Sequence, residues 1–243
     1  NMTQQILHWV TPENVMFHHH GKDAVDYYNK ETLSRREKYP TNKEKTYQRE
    51  IRSFRENGYV IFEQAISHDL IDKIQEKTNK IIADGSGLKA HDDYFAVVRD
   101  PFLQVEECAE IAFDERLIQF GTEYFKSLPA IGTFNLRKTY LNNQGPKSTQ
   151  LFHCDRNSLN FFKFFVYLND VDGPEDGPLT LIKGSNKKRP LIHTMKHRWD
   201  ESEITKLYGD DSLVYLTAKK GDLIAATTIC YHRGTKPTRQ ERT

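Results

Sequence analysis

His153 and Asp155 stand two positions apart in the segment Gln150-Leu-Phe-His153-Cys154-Asp155, a pairing of residue types that suits metal chemistry. The segment reads as a strand, where a side-chain period of two puts imidazole and carboxylate on one face while Cys154 points to the other. That face offers a single ion two ligands. A third comes from His232, 77 residues after Asp155, at the end of the run Asp222-Leu-Ile-Ala-Ala-Thr-Thr-Ile-Cys-Tyr-His232. Two histidines and one carboxylate on one side of an ion form the set that suits non-haem Fe(II), with positions left open for a cosubstrate and oxygen. Arg242 follows ten residues later. Returning along an adjoining strand, it would present a guanidinium whose planar fork grips a carboxylate through two hydrogen bonds. Arg239 competes for that role at a less favourable distance.

The chain has 10 histidines and 34 acidic residues in 243 positions. About one His-x-acid triplet is therefore expected by chance, so context has to choose between His153/Asp155 and the second triplet, His91-Asp92-Asp93. The latter follows Gly85-Ser-Gly-Leu with no matched distal His and Arg, and reads as a solvated loop. His18-His19-His20 reads as a surface tract, and Cys230, although it shares parity with His232, as a small buried hydrophobe. Tyr140, on the strand before the ligand strand, is a candidate contact for the cosubstrate, with a core tyrosine as the plainer reading. Arg99 and Arg156 are candidate contacts for an anionic substrate, with solvent-facing arginines as the plainer reading. The basic cluster Lys187-Lys188-Arg189 with Lys196, His197 and Arg198 reads as a solvated loop, or as a lid that attracts acidic substrates.

These residues need elements to hold them. Residues 1–53 are polar and irregular, with charged helix and turn from Lys30 to Arg55. Phe54-Arg-Glu-Asn-Gly58 reads as a turn before the strand Tyr59-Val-Ile-Phe62. Ser67 then caps a helix with Leu70, Ile71, Ile74, Ile81 and Ile82 on one face and Gly85 near its stop. One further helix is expected across Val105–Lys126. After about Ile131 the signal is mostly β: Phe134–Asn142, Gln150–Asp155, Asn160–Leu168, Leu179–Lys183, Leu213–Thr217, Asp222–Thr228 and Ile229–His232 are short runs divided by Gly, Pro, Asn and Asp. Many short strands at this spacing indicate an antiparallel sandwich or jelly roll rather than alternating βα units.

Composition sets outer limits. With 35 Lys+Arg against 34 Asp+Glu the net charge is +1, which gives no global reason to expect nucleic acid or an acidic membrane as partner. No run approaches the ~18–20 apolar residues of a membrane span, and the N-terminus lacks the pattern of a signal peptide. Three widely spaced cysteines, at 108, 154 and 230, fit neither a disulfide framework nor a CxxC zinc site. The expectation is a soluble cytoplasmic protein, a monomer or weak homo-oligomer.

Taken in order, the motifs resemble the phytanoyl-CoA dioxygenase-like branch of the Fe(II)- and 2-oxoglutarate-dependent oxygenases. Phe54-Arg-Glu-Asn-Gly-Tyr-Val-Ile-Phe-Glu with the capped helix resembles the family's opening strand and helix. His153-Cys154-Asp155, Phe165-Val-Tyr-Leu-Asn-Asp-Val-Asp and Gly177-Pro-Leu-Thr-Leu-Ile-Lys-Gly-Ser-Asn186 are similar to its ligand strand and the turn after it. Gly221-Asp222-Leu through His232-Arg-Gly to Arg242 is similar to its closing strands. The resemblance implies an α+β, mainly β fold with a double-stranded β-helix, the cupin-like jelly roll, and N-terminal helices on one sheet. It implies a domain over 54–243 behind an extension at 1–53, and a further strand beyond Thr243. It also implies Fe(II) on His153, Asp155 and His232, 2-oxoglutarate and O2 as cosubstrates, the distal carboxylate on Arg242, and hydroxylation of a small molecule, for which the basic cluster hints at an anionic one. Retention of Asp155 favours hydroxylation over halogenation, since family halogenases carry a small residue there. Residues 187–220 match no family pattern and are a place for substrate choice. Two other classes compete: a non-catalytic jelly roll that binds a metal or ligand, and a zinc hydrolase of cupin type, which leaves Arg242 without a role.

Overall fold

The computed structural model describes residues 9–10, 30, 46–155, 160–187, 189–190 and 196–243. Strand β1 (Trp9–Val10) is followed by α1 (Gln48–Asn57), β2 (Tyr59–Phe62), α2 (His68–Asp84), β3 (Leu88–His91), β4 (Phe95–Val98), α3 (Pro101–Gln104), α4 (Glu107–Ala112) and α5 (Glu115–Phe125). The remainder holds β5 (Arg137–Thr139), β6 (Lys163–Val166), β7 (Leu179–Ile182), β8 (Arg189–Pro190), α6 (Glu201–Tyr208), β9 (Leu213–Leu216), β10 (Leu223–Ala226) and β11 (His232–Gly234). All strand pairs are antiparallel, in sheets ordered β2-β10-β6, β11-β7-β9 and β3-β4-β5, with β1 paired to β8.

The first two sheets pack face to face because their strands alternate. On β10, Ile224 and Ala226 join Ile61, Phe165, Leu179, Leu181 and Leu216 in one cluster between the sheets. Leu223 and Ala225 point the other way, toward the helices. A strand buried on both faces needs the unbroken apolar run Leu-Ile-Ala-Ala that the sequence supplies. Against its outer face, α2 presents Ile71 and Ile74, and α1 and α5 present Ile51, Phe54 and Phe120. The third sheet turns Leu88, Ala96, Val98 and Leu136 toward that same helical layer.

Caps set the helix ends where the sequence marks them. Ser67 Oγ accepts the Leu70 N–H at 3.3 Å, and Gly85 closes α2 in the left-handed region at φ 77°. Elsewhere local chemistry moves the boundaries. The expected helix over 105–126 is divided at Phe113-Asp114, because the Asp114 carboxylate accepts the Arg116 N–H at 2.8 Å and starts α5 afresh. Phe54-Asn57 is the last turn of α1, closed by Gly58, so this helix runs across residue 53 with Ile51 and Phe54 in one cluster. Strands β3 and β4 form where a loop was expected, which puts His91 on an exposed strand end and Asp93 in the turn beyond. The strand expected over 134–142 shortens to Arg137–Thr139, and that over 150–155 becomes a 3-10 turn followed by bridges at Phe152 and His153. The final strand begins at His232 rather than ending there, and α6 occupies part of the 187–220 segment. His18-His19-His20 lies outside the described residues.

Phe120 anchors the helical layer. It is fully buried, with the rings of Tyr47, Phe54, Phe62, Phe162 and Phe164 around it at centroid distances of 5.5 to 5.9 Å. Such edge-on contacts add to area burial. Phe120→Ala is expected to lower unfolding free energy by ~3–5 kcal/mol. Leu103→Ala, at an 86% exposed position, is expected to stay within ~0.5 kcal/mol. Urea unfolding of both variants checks the pair of values.

Candidate metal centre

The centre begins with a backbone pairing. His153 N–H donates to the His232 carbonyl and His232 N–H to the His153 carbonyl, both at 2.9 Å, so the two residues sit directly opposite each other. Opposed residues project to the same face, and the imidazole centroids lie 4.2 Å apart. His232 is in register with Leu181, which faces the cluster between the sheets. Asp155 is tied in by its N–H, which donates to the Thr228 carbonyl at 2.9 Å. From behind, the buried Ser185 hydroxyl accepts the Tyr231 N–H at 2.9 Å, so the Gly-Ser-Asn turn noted in the sequence braces the chain immediately before His232.

Both rings are oriented for metal binding. Each Nδ1 meets a backbone carbonyl two residues earlier, His153 on Leu151 at 2.9 Å and His232 on Cys230 at 3.0 Å. A carbonyl only accepts, so each Nδ1 holds the proton and each Nε2 keeps its lone pair. His153 Nε2 is 3.8 Å from Asp155 Oδ1 and His232 Nε2 is 3.5 Å from Oδ2. The three donor atoms fall within 4.8 Å of one another, and this is the one such His/Cys/Asp/Glu group among the described residues. Protonation states agree. Burial pushes the His153 imidazolium below its usual range and takes His232 down to about 3, where a second proton beside a protonated His153 would be opposed as well. For Asp155 burial pulls upward, but His232 and the Lys163 ammonium outweigh it and hold the carboxyl below its usual value. Two neutral imidazoles and a carboxylate are the donor set that a divalent metal takes.

Arg242 lies on the same side. Its backbone pairs with Thr139, through Thr139 N–H to Arg242 O at 2.6 Å and Arg242 N–H to Thr139 O at 3.0 Å. Its Nη1 donates to the Gly177 carbonyl, and its guanidinium carbon is 5.8 Å from the ring centre of Tyr167. Tyr167 is itself fixed, donating to Leu216 O and accepting from Leu179 N–H. A Cβ added at Gly234 would stand 3.3 Å from Arg242 Nη2. Gly234 is two residues past His232 on the same strand face, roughly 6.6 Å along β11. A side chain at Gly234 would therefore crowd the guanidinium on the face that His232 also occupies.

The other expected contacts fall elsewhere. Thr139 and Arg242 are paired and share a face, so Tyr140 projects oppositely, toward α2, with its hydroxyl 3.4 Å from His91 Nε2. Parity thus removes Tyr140 from the group around Arg242. Arg99 is exposed beyond β4, its Nη2 held by the Leu88 carbonyl at 3.0 Å rather than by any residue of the cluster. Arg156 lies outside the described residues. Arg239 is committed to Glu175 at 2.9 Å and to buried Asp176. Cys230 is buried, but its Sγ is directed at Gly58, 2.7 Å from where a Cβ would stand there.

Three residues at the site went unmarked in the sequence. Gly234 was read only as the end of a motif. Lys163, whose Nζ is 2.5 Å from Asp155 Oδ2, shares the inner face of β6 with Phe165. The signal was a lone charge inside Phe161-Phe162-Lys163-Phe164-Phe165, at the parity of an inner position. Arg137 shares the face of Thr139 and Arg242, as the register of β5 dictates.

The depressed imidazole values set a pH response. Above about pH 6.5 the histidines are neutral in both folded and unfolded chains and contribute no pH dependence. Below it the unfolded chain binds protons that the folded chain refuses, so the metal-free protein loses stability as pH falls from 6.5 toward the His232 value of about 3. Denaturant unfolding between pH 7 and 4.5 is expected to show this decline, and a shallower one in His232→Gln.

Residues 54–242 match the phytanoyl-CoA dioxygenase (PhyH) family. No curated protein matched the chain by sequence. Among solved structures, EctD from S. alaskensis with 2-oxoglutarate and 5-hydroxyectoine is similar at a TM-score of 0.60 and 20% identity, over 84% of this chain and 76% of that one. HygX from Streptomyces hygroscopicus with nickel and 2-oxoglutarate bound aligns at 0.56 and 14% identity, over 82% and 84%. The non-heme alpha ketoglutarate dependent carbocyclase SnoK from nogalamycin biosynthesis aligns at 0.57 and 17%, over 84% and 83%. At these identities the likeness is one of fold. No described helix is long and apolar enough to cross a membrane. On a family match that covers more than half its length and includes all three ligand positions, the chain belongs to the phytanoyl-CoA dioxygenase family.

Proposed function

We propose that the protein is an Fe(II)- and 2-oxoglutarate-dependent oxygenase that hydroxylates a small molecule within a double-stranded β-helix. The observation that carries this reading is the convergence of His153 Nε2, His232 Nε2 and an Asp155 oxygen on the face that Gly234 and Arg242 continue. Family membership and the structural neighbours crystallised with iron, nickel and 2-oxoglutarate support it.

His153, Asp155 and His232 would hold the metal. Iron with its cosubstrates would supply the oxidising power, turning 2-oxoglutarate and O2 into succinate and CO2 with one oxygen atom going to a substrate C–H bond. The chain's own residues position and exclude. The Leu151 and Cys230 carbonyls keep both imidazoles in the tautomer that binds. Arg242, steadied by Gly177 O and the Tyr167 ring, is placed to take the distal carboxylate, and the roughly 6.6 Å between His232 and Gly234 suits a five-carbon diacid. Phe165, Leu179, Leu181 and Ile224 form a dry wall beside the site, where charge interactions are stronger than in water. Lys163 neutralises part of the Asp155 charge when the metal is away. A zinc hydrolase would leave Arg242 without a function.

Anaerobic addition of Fe(II) and 2-oxoglutarate is expected to produce a weak visible charge-transfer band that is absent in Asp155→Ala and His232→Ala. Arg242→Ala is expected to keep metal binding and to weaken 2-oxoglutarate binding tenfold or more. A wild-type protein with no band, and with 2-oxoglutarate binding unchanged in Arg242→Ala, excludes this class.

A further inference from the structure

A second group of hydrogen-bond donors lies near Arg242 and Gly234. Arg137 Nη1 donates to Thr149 Oγ1 at 3.3 Å, and the Thr149 carbonyl is 4.0 Å from the Cβ position of Gly234, which Arg242 Nη2 also approaches. Two arginines therefore share one neighbourhood on the inner face of β5. No described acid lies within ion-pair distance of Arg137, and its Nε is buried without a hydrogen-bond partner. Burial first, and the like charge of Arg242 second, push its value down to about 10, while Asp92 opposes this only weakly. The central carbon of the guanidinium lies 3.9 Å from the Phe95 ring centre. Leaving a buried charge without a counter-ion, and one of its donors without an acceptor, is costly, so a native fold that does so calls for an explanation.

Gln150 points to the same one. It is 4% exposed, its Oε1 accepts the Lys147 N–H at 3.1 Å, and this bond assigns the amide's other end as donor. That Nε2 is buried and has no partner. Arg137 and Gln150 both line a cavity of about 150 Å³ with Lys147, Tyr94, Phe95, Ser148 and Asp92. Two buried donors without acceptors and a lysine at the rim match a carboxylate, which only accepts. Asp92, the one acid of the lining, has its Oδ1 taken by the Tyr94 and Phe95 N–H groups.

We propose that Arg137, Gln150 and Lys147 form a carboxylate-binding subsite, distinct from the Arg242 position, which takes the acidic group of an anionic substrate. The proposal deepens the oxygenase reading and rests on it. Through Thr149 and Gly234 the subsite adjoins the cosubstrate position, so a carboxylate held there would leave the rest of a small substrate beside the metal.

The test uses protein loaded anaerobically with Fe(II) and saturating 2-oxoglutarate, so that Arg242 is already engaged. Thermal unfolding is followed against benzoate and acetate and against their neutral partners benzamide and acetamide, at constant ionic strength. The carboxylates are expected to raise the midpoint and the amides to leave it unmoved. Arg137→Gln is expected to raise the benzoate concentration needed tenfold or more, and Lys147→Met, at an exposed position that does not endanger folding, about threefold. In both variants the half-saturating 2-oxoglutarate for the visible band is expected to stay within about twofold of wild type. Carboxylates and amides acting alike overturns the proposal, as does a benzoate response that survives in both variants. So does a tenfold rise in the 2-oxoglutarate requirement of Arg137→Gln, which would assign the guanidinium to the cosubstrate. Absence of the band in wild type is a separate result, which defeats the oxygenase reading itself.

Discussion

The reciprocal backbone hydrogen bonds between His153 and His232 are the constraint on which the rest of the site depends. They join a segment that is otherwise irregular to the first residue of β11, and they fix the parity of both histidines at once. A slip of one residue on either side would turn an imidazole away from the space between the sheets. The supports for this pair are distributed. Ser185 holds Tyr231, β7 holds β11 along its length, and the Asp155 N–H closes on Thr228. Each is a backbone bond or a bond to the backbone, so the ligand positions follow from the strand framework rather than from side-chain packing alone.

Burial then sets the electrostatics. Two imidazoles, a carboxylate and two guanidiniums are withdrawn from water within a few strand residues of one another, and each charged form loses solvation. The imidazoles respond by becoming neutral, the form that binds a metal. Arginine has no such escape at neutral pH, so Arg242 and Arg137 retain charge against burial. Arg242 finds a carbonyl and a tyrosine ring. Arg137 finds one hydroxyl and an aromatic face. This asymmetry separates an arginine that the fold supports on its own from one whose environment is incomplete without an anion.

The ligand triad was legible in the sequence because its signal is periodic: His153 and Asp155 differ by two, and His232 follows an apolar run whose neighbours Leu223 and Ala226 are buried in β10. The motif order from Phe54 to Arg242 carried the family. Other features were hidden for identifiable physical reasons. Strand β3 carries Lys89 and His91 at exposed positions, so its composition resembles a loop. The division between α4 and α5 rests on a single Asp114 cap inside a continuous apolar periodicity. The direction of Tyr140, just past β5, was open because a strand of three residues gives no run long enough to fix its parity. Arg137 and Gln150 look like ordinary polar residues until burial shows their donors to be without acceptors.

In the proposed site both histidines bind one metal through Nε2 while each Nδ1–H stays on a backbone carbonyl. Proton NMR of the protein loaded with Co(II) reads this directly, since an Nδ1–H on a ligating imidazole is strongly shifted and exchanges with solvent. Two such resonances are expected in the wild-type protein and one in His232→Gln. Their absence from the wild type, or the persistence of both in His232→Gln, would contradict this arrangement.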